Sequence, residues 1–267
     1  MFRVCFLLAT LLTLSQAYLI MSKVLVLGGT GYVGKTVVKE LLSKSVKVVS
    51  VSRRGSPGDA DDSLNAVDWR CGDVTDPTVV KGILKEGNFD GVVHAVGMLF
   101  QGKANKLVSG SGSVPTPGTT YDALTRQTAV AASDALAATG GKPPKPFVFV
   151  SAAEAGWTID SKFKGTPLEW LHNYLIAKRA VESHIGDLGQ KGLIRPVIVR
   201  PSLIWDKSKI FALGPVGAFT LGNAIGLPFV DKPVNVHDLS SAVVKSLYDP
   251  SITGILKYQE IEAMAKE

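Results

Sequence analysis

Near the start of the chain the residues Gly28-Gly29-Thr30-Gly31-Tyr32-Val33-Gly34 put glycines at positions 28, 31 and 34. A G-x-x-G-x-x-G spacing lets a chain turn through backbone angles that side chains forbid, and keeps the backbone bare where a ligand must come close. If a helix follows, its first turn offers N–H groups and a positive dipole end to an anion. The diphosphate of a dinucleotide suits such a turn, provided that a buried strand leads into it and an amphipathic helix leaves it. Both are expected here. Lys23-Val24-Leu25-Val26-Leu27-Gly28 is an apolar run too short for a helix, and Val37, Val38, Leu41 and Leu42 cluster on one face of the segment after the turn.

A second group of residues bears on which dinucleotide is held. A strand over 46–52 ends in Ser52-Arg53-Arg54, and no acid follows until Asp59. An Asp or Glu at that place would accept hydrogen bonds from a ribose 2′-hydroxyl and repel a 2′-phosphate, whereas a guanidinium grips a phosphate with a planar fork. Arg53 and Arg54 therefore favour NADP(H).

These residues need a scaffold, and the pattern from Lys23 onward supplies one. Short β-branched runs alternate with helical stretches: strands at 23–28, 46–52, 67–73, 91–97, 146–151 and 193–200, helices near 76–86, 121–139 and 168–187. This is the signature of an α/β fold, a Rossmann-type doubly wound parallel sheet. A small C-terminal substrate lobe is expected from pieces at about 152–167 and 201–236. Two stretches break the alternation. Residues 101–120 form a polar loop positioned to cover a ligand at the end of the fourth strand. Residues 211–230 carry no charge, and Pro215, Pro228 and four glycines argue against one continuous helix or a membrane span. That stretch reads as lobe core or as an apolar surface for a substrate, a membrane or a partner.

The chain has 267 residues, 46% hydrophobic and 19% charged, with a net charge of +6, which fits one globular domain of residues 21–267 and an anionic ligand. With no basic–aromatic stripe and no block of like charges, nucleic acid is not an expected partner. Cys71 is the one cysteine beyond the apolar leader, so neither a disulfide framework nor a multi-cysteine metal site is expected, and no metal is assigned. Residues 1–20 read as a leader or targeting segment, with an apolar run from Val4 to Leu14 before Ser15-Gln16-Ala17. Three readings fit it: an organelle reached by the secretory route, such as a plastid; an unusual mitochondrial presequence; or translation starting at Met21 in the cytosol.

Taken together these motifs resemble the short-chain dehydrogenase/reductase superfamily, in its extended and atypical branches, from Lys23 to about Tyr258. The resemblance implies that Asp73-Val74 contacts the adenine and that His94-Ala95-Val96-Gly97 passes beneath the cofactor. It also implies that Arg200-Pro201 lies beside the nicotinamide, and matches Val234–Leu239 to a stretch that opens a late helix. Tyr174-Leu175-Ile176-Ala177-Lys178 matches the family's Tyr-x-x-x-Lys pair, in which spacing of four shares a helical face and the ammonium lowers the phenol's pKa. On this resemblance Tyr174 is the acid/base, Lys178 supports it and holds the nicotinamide ribose, and Ser151 orients the substrate carbonyl. One departure stands out: Ala152 occupies the position where active members carry the Ser or Thr hydroxyl.

Within the superfamily the short lobe and weakened triad resemble the NADPH-holding accessory subunit of respiratory complex I and the reductase-like protein associated with ubiquinone biosynthesis. Three functions fit. One is an NADP(H)-dependent oxidoreductase acting on an apolar carbonyl or quinone-related small molecule. Another is a non-catalytic NADPH-holding subunit of a membrane-associated complex. The third is a regulator that reports the NADP(H) level to a partner. By the same resemblance a mitochondrial address is favoured.

Overall fold

A computed structural model of the chain describes residues 21–58, 61–100, 105, 114–207, 213–225 and 231–266. The expected leader, most of the 101–113 part of the polar loop and residues 211–212 and 226–230 of the uncharged stretch lie outside the described residues.

Seven parallel strands form one sheet in the order β3-β2-β1-β4-β5-β6-β9. They are β1 (Lys23–Leu27), β2 (Lys47–Ser52), β3 (Asp68–Cys71), β4 (Gly91–His94), β5 (Pro146–Val150), β6 (Arg195–Val199) and β9 (Gly254–Leu256). Six of these match the strands expected from sequence. The seventh, β9, has three residues with only Leu256 buried, too brief a run to carry an apolar pattern. Two further two-residue strands, β7 (Ile204–Trp205) and β8 (Val234–Asn235), pair with each other apart from the main sheet.

The helices are α1 (Tyr32–Ser43), α2 (Pro77–Glu86), α3 (Thr128–Ala138), α4 (Glu169–Gln190), α5 (Leu213–Ala224), α6 (Val236–Tyr248) and α7 (Tyr258–Lys266). A π-helical stretch, Asp122–Gln127, leads into α3. Helix starts follow local chemistry. Asp76 caps α2 by accepting from the Thr78 N–H, with Pro77 in the first turn. Asn235 caps α6 by accepting from the His237 N–H.

Strand residues alternate between two cores, one on each face of the sheet. Val24, Val26, Val148 and Val197 pack with Val38 and Leu41 of α1, Val243 of α6 and Ile261 of α7. Leu25, Leu27, Phe147 and Ile198 pack with Val80 of α2, Leu136 of α3 and Val181 of α4. Residues on both faces of β1 are fully buried, so the strand reads as a continuous hydrophobic run.

From β1 the chain winds outward through β2 and β3, then crosses back to place β4 on the other side of β1. The strand order therefore reverses between β1 and β4, and the crevice at their C-terminal ends is where a doubly wound sheet receives a ligand.

Within the uncharged stretch, α5 is 12 residues long, in agreement with the expectation that no single helix runs through it. Its far end is bare, with Leu221 64% and Ile225 65% exposed. No helix among the described residues is long and apolar enough to cross a membrane.

Candidate functional site

The glycine turn lies in that crevice. Gly28 ends β1 with a φ of +88°, and a Cβ there would come within 2.8 Å of the Ala95 carbonyl oxygen and 3.1 Å of the Val96 nitrogen. The ends of β1 and β4 approach too closely for any side chain. At Gly34 a Cβ would sit 2.1 Å from the Gly28 carbonyl oxygen, so the first turn of α1 rests directly on the turn before it. The Gly31 N–H donates to the Gly28 carbonyl at 2.9 Å, closing the loop. Gly31 is the N-cap of α1, and no side chain caps the helix. Thr30, Tyr32 and Val33 are half-buried around this start. The result is a backbone cradle at a helix N-terminus, which fits a dinucleotide diphosphate.

Toward the adenosine side, Arg53 and Arg54 are both exposed just beyond β2. The loop that carries them is held by its backbone: the Ser52 carbonyl accepts from the Gly55 and Gly72 N–H groups, each at 3.0 Å. The Cys71 thiol donates to the Arg53 carbonyl at 3.1 Å. Arg53 Nη1 donates to the Thr116 hydroxyl, which brings the end of the polar loop back over this side of the crevice. Asp73 accepts from the Thr75 N–H at 2.9 Å and the Thr75 hydroxyl at 2.8 Å, fixing the turn after β3, and Val74 is buried beneath it.

The opposite side is built from side chains. Ala95 and Val96 are half-buried beyond β4, and Gly97 is exposed. A Cβ on Gly97 would lie 3.9 Å from Lys178 Nζ and 4.0 Å from Thr125 Oγ1. That threonine hydroxyl is buried without a hydrogen-bond partner among the described residues. Sequence reasoning missed Thr125, because the π-helical stretch that turns it inward has no simple periodicity.

Lys178 Nζ donates to the Val150 carbonyl at 2.7 Å and lies 4.8 Å from the centre of the Phe149 ring and 5.6 Å from that of Tyr174. Burial lowers its pKa to about 8, against the opposing pull of Glu182. Beneath it His94, wedged against Phe147 and Phe149, shares a 2.8 Å hydrogen bond with Thr128 Oγ1. Burial first, then the Lys178 charge, drives His94 down to about 3, so it is a neutral floor.

Tyr174 packs edge-on against Tyr121, ring centres 5.8 Å apart. Its phenol shifts upward, not downward as the Tyr-x-x-x-Lys spacing led us to expect. Burial is the largest cause, followed by the charges of Glu154 and Tyr121. The Lys178 ammonium is drawn to the Val150 carbonyl and does not offset them.

Ser151 also departs from expectation. Its hydroxyl donates to Glu182 Oε1 at 2.5 Å, and Glu182 in turn accepts from Arg200 Nε at 2.9 Å and from Arg200 Nη2. All three residues belong to one largely buried network. Ser151 is thus turned toward Glu182, away from the role of orienting a carbonyl, and the buried Ala152 follows it with no hydroxyl to substitute. Arg200 likewise braces the sheet edge, and the Pro201 carbonyl accepts from the Ala153 N–H at 2.8 Å to hold the turn after β5.

On that turn stands Glu154, half-buried and unremarked from sequence. Its carboxyl is pushed upward by burial and by the charge of Asp231, with its own backbone N–H opposing. Among the described residues no cation pairs with it.

A glycine cradle at the switch point of a doubly wound parallel sheet, with a polar side-chain cluster across from it, defines a nicotinamide-dinucleotide-binding protein with an epimerase/reductase-type Rossmann fold. The chain belongs to the NAD dependent epimerase/dehydratase family, whose model matches residues 24–205. It is similar to MIOREX complex component 2 of Saccharomyces cerevisiae, 26% identical over 90% of this chain and 98% of that protein. An Arabidopsis thaliana protein described as chloroplastic is 28% identical over 91% of this chain and 78% of its own length. Among solved structures the chain resembles ElxO with NADPH bound, at a TM-score of 0.62 and 18% identity, over 93% of this chain and all of the other (100%). It also resembles Thermus thermophilus UDP-glucose 4-epimerase in complex with NAD, at a TM-score of 0.59 and 20% identity, over 91% of this chain and 82% of the other. At these identities the two structures speak for the fold alone.

Proposed function

We propose that the protein binds NADP(H) and acts as an oxidoreductase on an apolar carbonyl or quinone-related small molecule. The observation that carries this reading is the pair of exposed guanidiniums at the end of β2, beside a glycine cradle at a helix N-terminus that suits a diphosphate. In this assignment Gly28, Thr30, Gly31, Tyr32, Val33 and Gly34 hold the diphosphate, and Arg53 and Arg54 the 2′-phosphate. Asp73 and Val74 border the adenine, while Ala95, Val96 and Gly97 form the floor. Lys178, with Thr125, faces the nicotinamide ribose, and Arg200 and Pro201 fix the neighbouring turn. The bound nucleotide would supply the hydride. The residues at 152–167 and 201–236 form the substrate lobe, where the bare end of α5 offers apolar contact to a substrate with a hydrocarbon tail.

The test is a titration of the purified protein with NADPH and NADH. We expect at least a tenfold preference for NADPH, about 1.4 kcal/mol; equal affinities would overturn the assignment to NADP(H).

A second reading has its own support. The Ser151 hydroxyl is engaged by Glu182 and the Lys178 ammonium by a backbone carbonyl, which suits a subunit that keeps the nucleotide without using it. The yeast relative is named as a component of a complex, and complex membership is the corresponding proposal here. An organellar address accords with the signal-like leader and with the chloroplastic relative. Oxidation of NADPH at an enzymatic rate in the presence of a short-chain quinone would refute the non-catalytic reading.

A further inference from the structure

We propose that Thr116 is a positioning residue for nucleotide specificity: its hydroxyl holds the Arg53 guanidinium where a 2′-phosphate is gripped. The inference rests on the assignment to NADP(H) above and adds to it a residue from outside the end of β2.

A single contact carries it. Arg53 Nη1 donates to Thr116 Oγ1 across 63 residues of sequence. Both residues are exposed. An exposed arginine on its own samples many rotamers, so part of a phosphate's binding energy is lost in fixing it. A guanidinium fixed beforehand avoids that loss. The bond to Thr116 engages one donor group of the fork, and no carboxylate pairs with Arg53 among the described residues. The other N–H groups are left for an anion. Arg54, next in the chain and equally exposed, has no side-chain partner among the described residues.

Both members of the pair are held from behind, as a pre-placed contact requires. On one side the Arg53 carbonyl accepts from the Cys71 thiol at 3.1 Å, and the Ser52 hydroxyl donates to the Gly55 carbonyl at 2.7 Å. On the other side Thr116 opens a turn whose sequence dictates its shape. In Thr116-Pro117-Gly118-Thr119 the last N–H donates to the first carbonyl at 3.0 Å. Proline takes the second place and Gly118, with a φ of +81°, the third, which is the pattern of a type II turn. Pro115 is buried just before the turn. Tyr121, just after it, is also buried and donates its hydroxyl to the Leu99 carbonyl at 3.0 Å. Thr116 is therefore presented by a shaped and anchored segment.

NADPH and NADH differ only in the 2′-phosphate. A residue that acts through Arg53 must alter affinity for the first and spare the second. Two other uses of the same bond make different predictions. A bond that merely secures the loop would affect both nucleotides alike. A bond that keeps Arg53 away from the phosphate would make NADPH bind more tightly once it is removed.

The test uses the full chain with Thr116→Val, which keeps the side chain's shape without its hydroxyl, Thr116→Ser, which restores the hydroxyl, and Arg53→Ala. Affinities for NADPH and NADH are read by fluorescence titration. Thr116→Val should lower the preference for NADPH by about threefold, through NADPH alone, and Thr116→Ser should bring it back. In an Arg53→Ala background Thr116→Val should have no further effect, because the two side chains act as one unit. An unchanged preference in Thr116→Val, an equal loss for both nucleotides, or tighter NADPH binding would each overturn the inference and leave the assignment to NADP(H) standing. A parent protein that binds both nucleotides equally overturns that assignment, and the inference with it. A second readout needs no nucleotide. In the unliganded parent with nitrogen-labelled arginine, NMR relaxation should show the Arg53 side chain more restrained than that of Arg54, and Thr116→Val should abolish the difference. Equal motion of the two arginines in the parent would sink the positioning role.

Discussion

The two ends of the crevice are made in different ways. The glycine end is backbone: its geometry follows from the absence of side chains at Gly28, Gly31 and Gly34 and from the start of α1. The tyrosine end is an arrangement of ionisable side chains, each of which has alternatives. Ser151 takes Glu182, Lys178 takes the Val150 carbonyl, and Tyr174 packs edge-on against Tyr121. A backbone cradle is set once the fold forms, whereas a side-chain constellation can be re-aimed by one neighbour. Holding a nucleotide and using it are therefore separable properties of this chain.

Substitutions can break that contrast at either end. The largest effect is expected at Gly34→Val, where new atoms would meet backbone 2.1 Å away that has no side chain to swing aside. NADPH binding should fall by about a thousandfold or more, about 4 kcal/mol, in a titration by fluorescence. Survival of binding would mean that the diphosphate lies elsewhere.

Next comes Glu182→Leu, which removes the shared acceptor of Ser151 and Arg200 and leaves a guanidinium with only 14% side-chain exposure. Breaking a buried pair from one side costs about 3 kcal/mol or more, measurable by urea denaturation. A variant as stable as the parent would show that the network is not structural.

A smaller effect is expected when Arg53 and Arg54 are both changed to Ala. Affinity for NADPH should drop about tenfold, about 1.4 kcal/mol, and affinity for NADH should hold, with the melting temperature unchanged because both side chains are exposed.

The smallest concerns Lys178. Its folded pKa, about 8, is below its ordinary value of 10.5, so between those pH values the unfolded chain holds a proton that the folded one has released. Stability should therefore rise with pH in that window, by a fraction of about 1.4 kcal/mol per pH unit, and Lys178→Met should remove the slope. Chemical denaturation at closely spaced pH values checks it.

Much of the scaffold was legible beforehand, for a physical reason that particular elements make plain. Strand β1 is buried on both faces and so must be apolar throughout, and α2 carries its own cap in Asp76 and Pro77. Such local constraints are written in consecutive residues. The strands β7, β8 and β9 were not legible, because two or three residues form a strand only when a partner is already in place. Thr125 escaped for a related reason: nothing about a lone threonine tells which way the chain will turn it.

The sequence by itself determined the cradle, since glycine spacing between a buried strand and an amphipathic helix has few other physical uses, and it determined the two arginines that stand beside it. Only the tertiary structure decided the partners of the ionisable groups. The Tyr174–Lys178 spacing promises an ammonium beside a phenol, but Val150 and Glu182, brought in from other elements, settle where that ammonium and the Ser151 hydroxyl point. Charges act through space, and the distances between them exist only after the chain has folded.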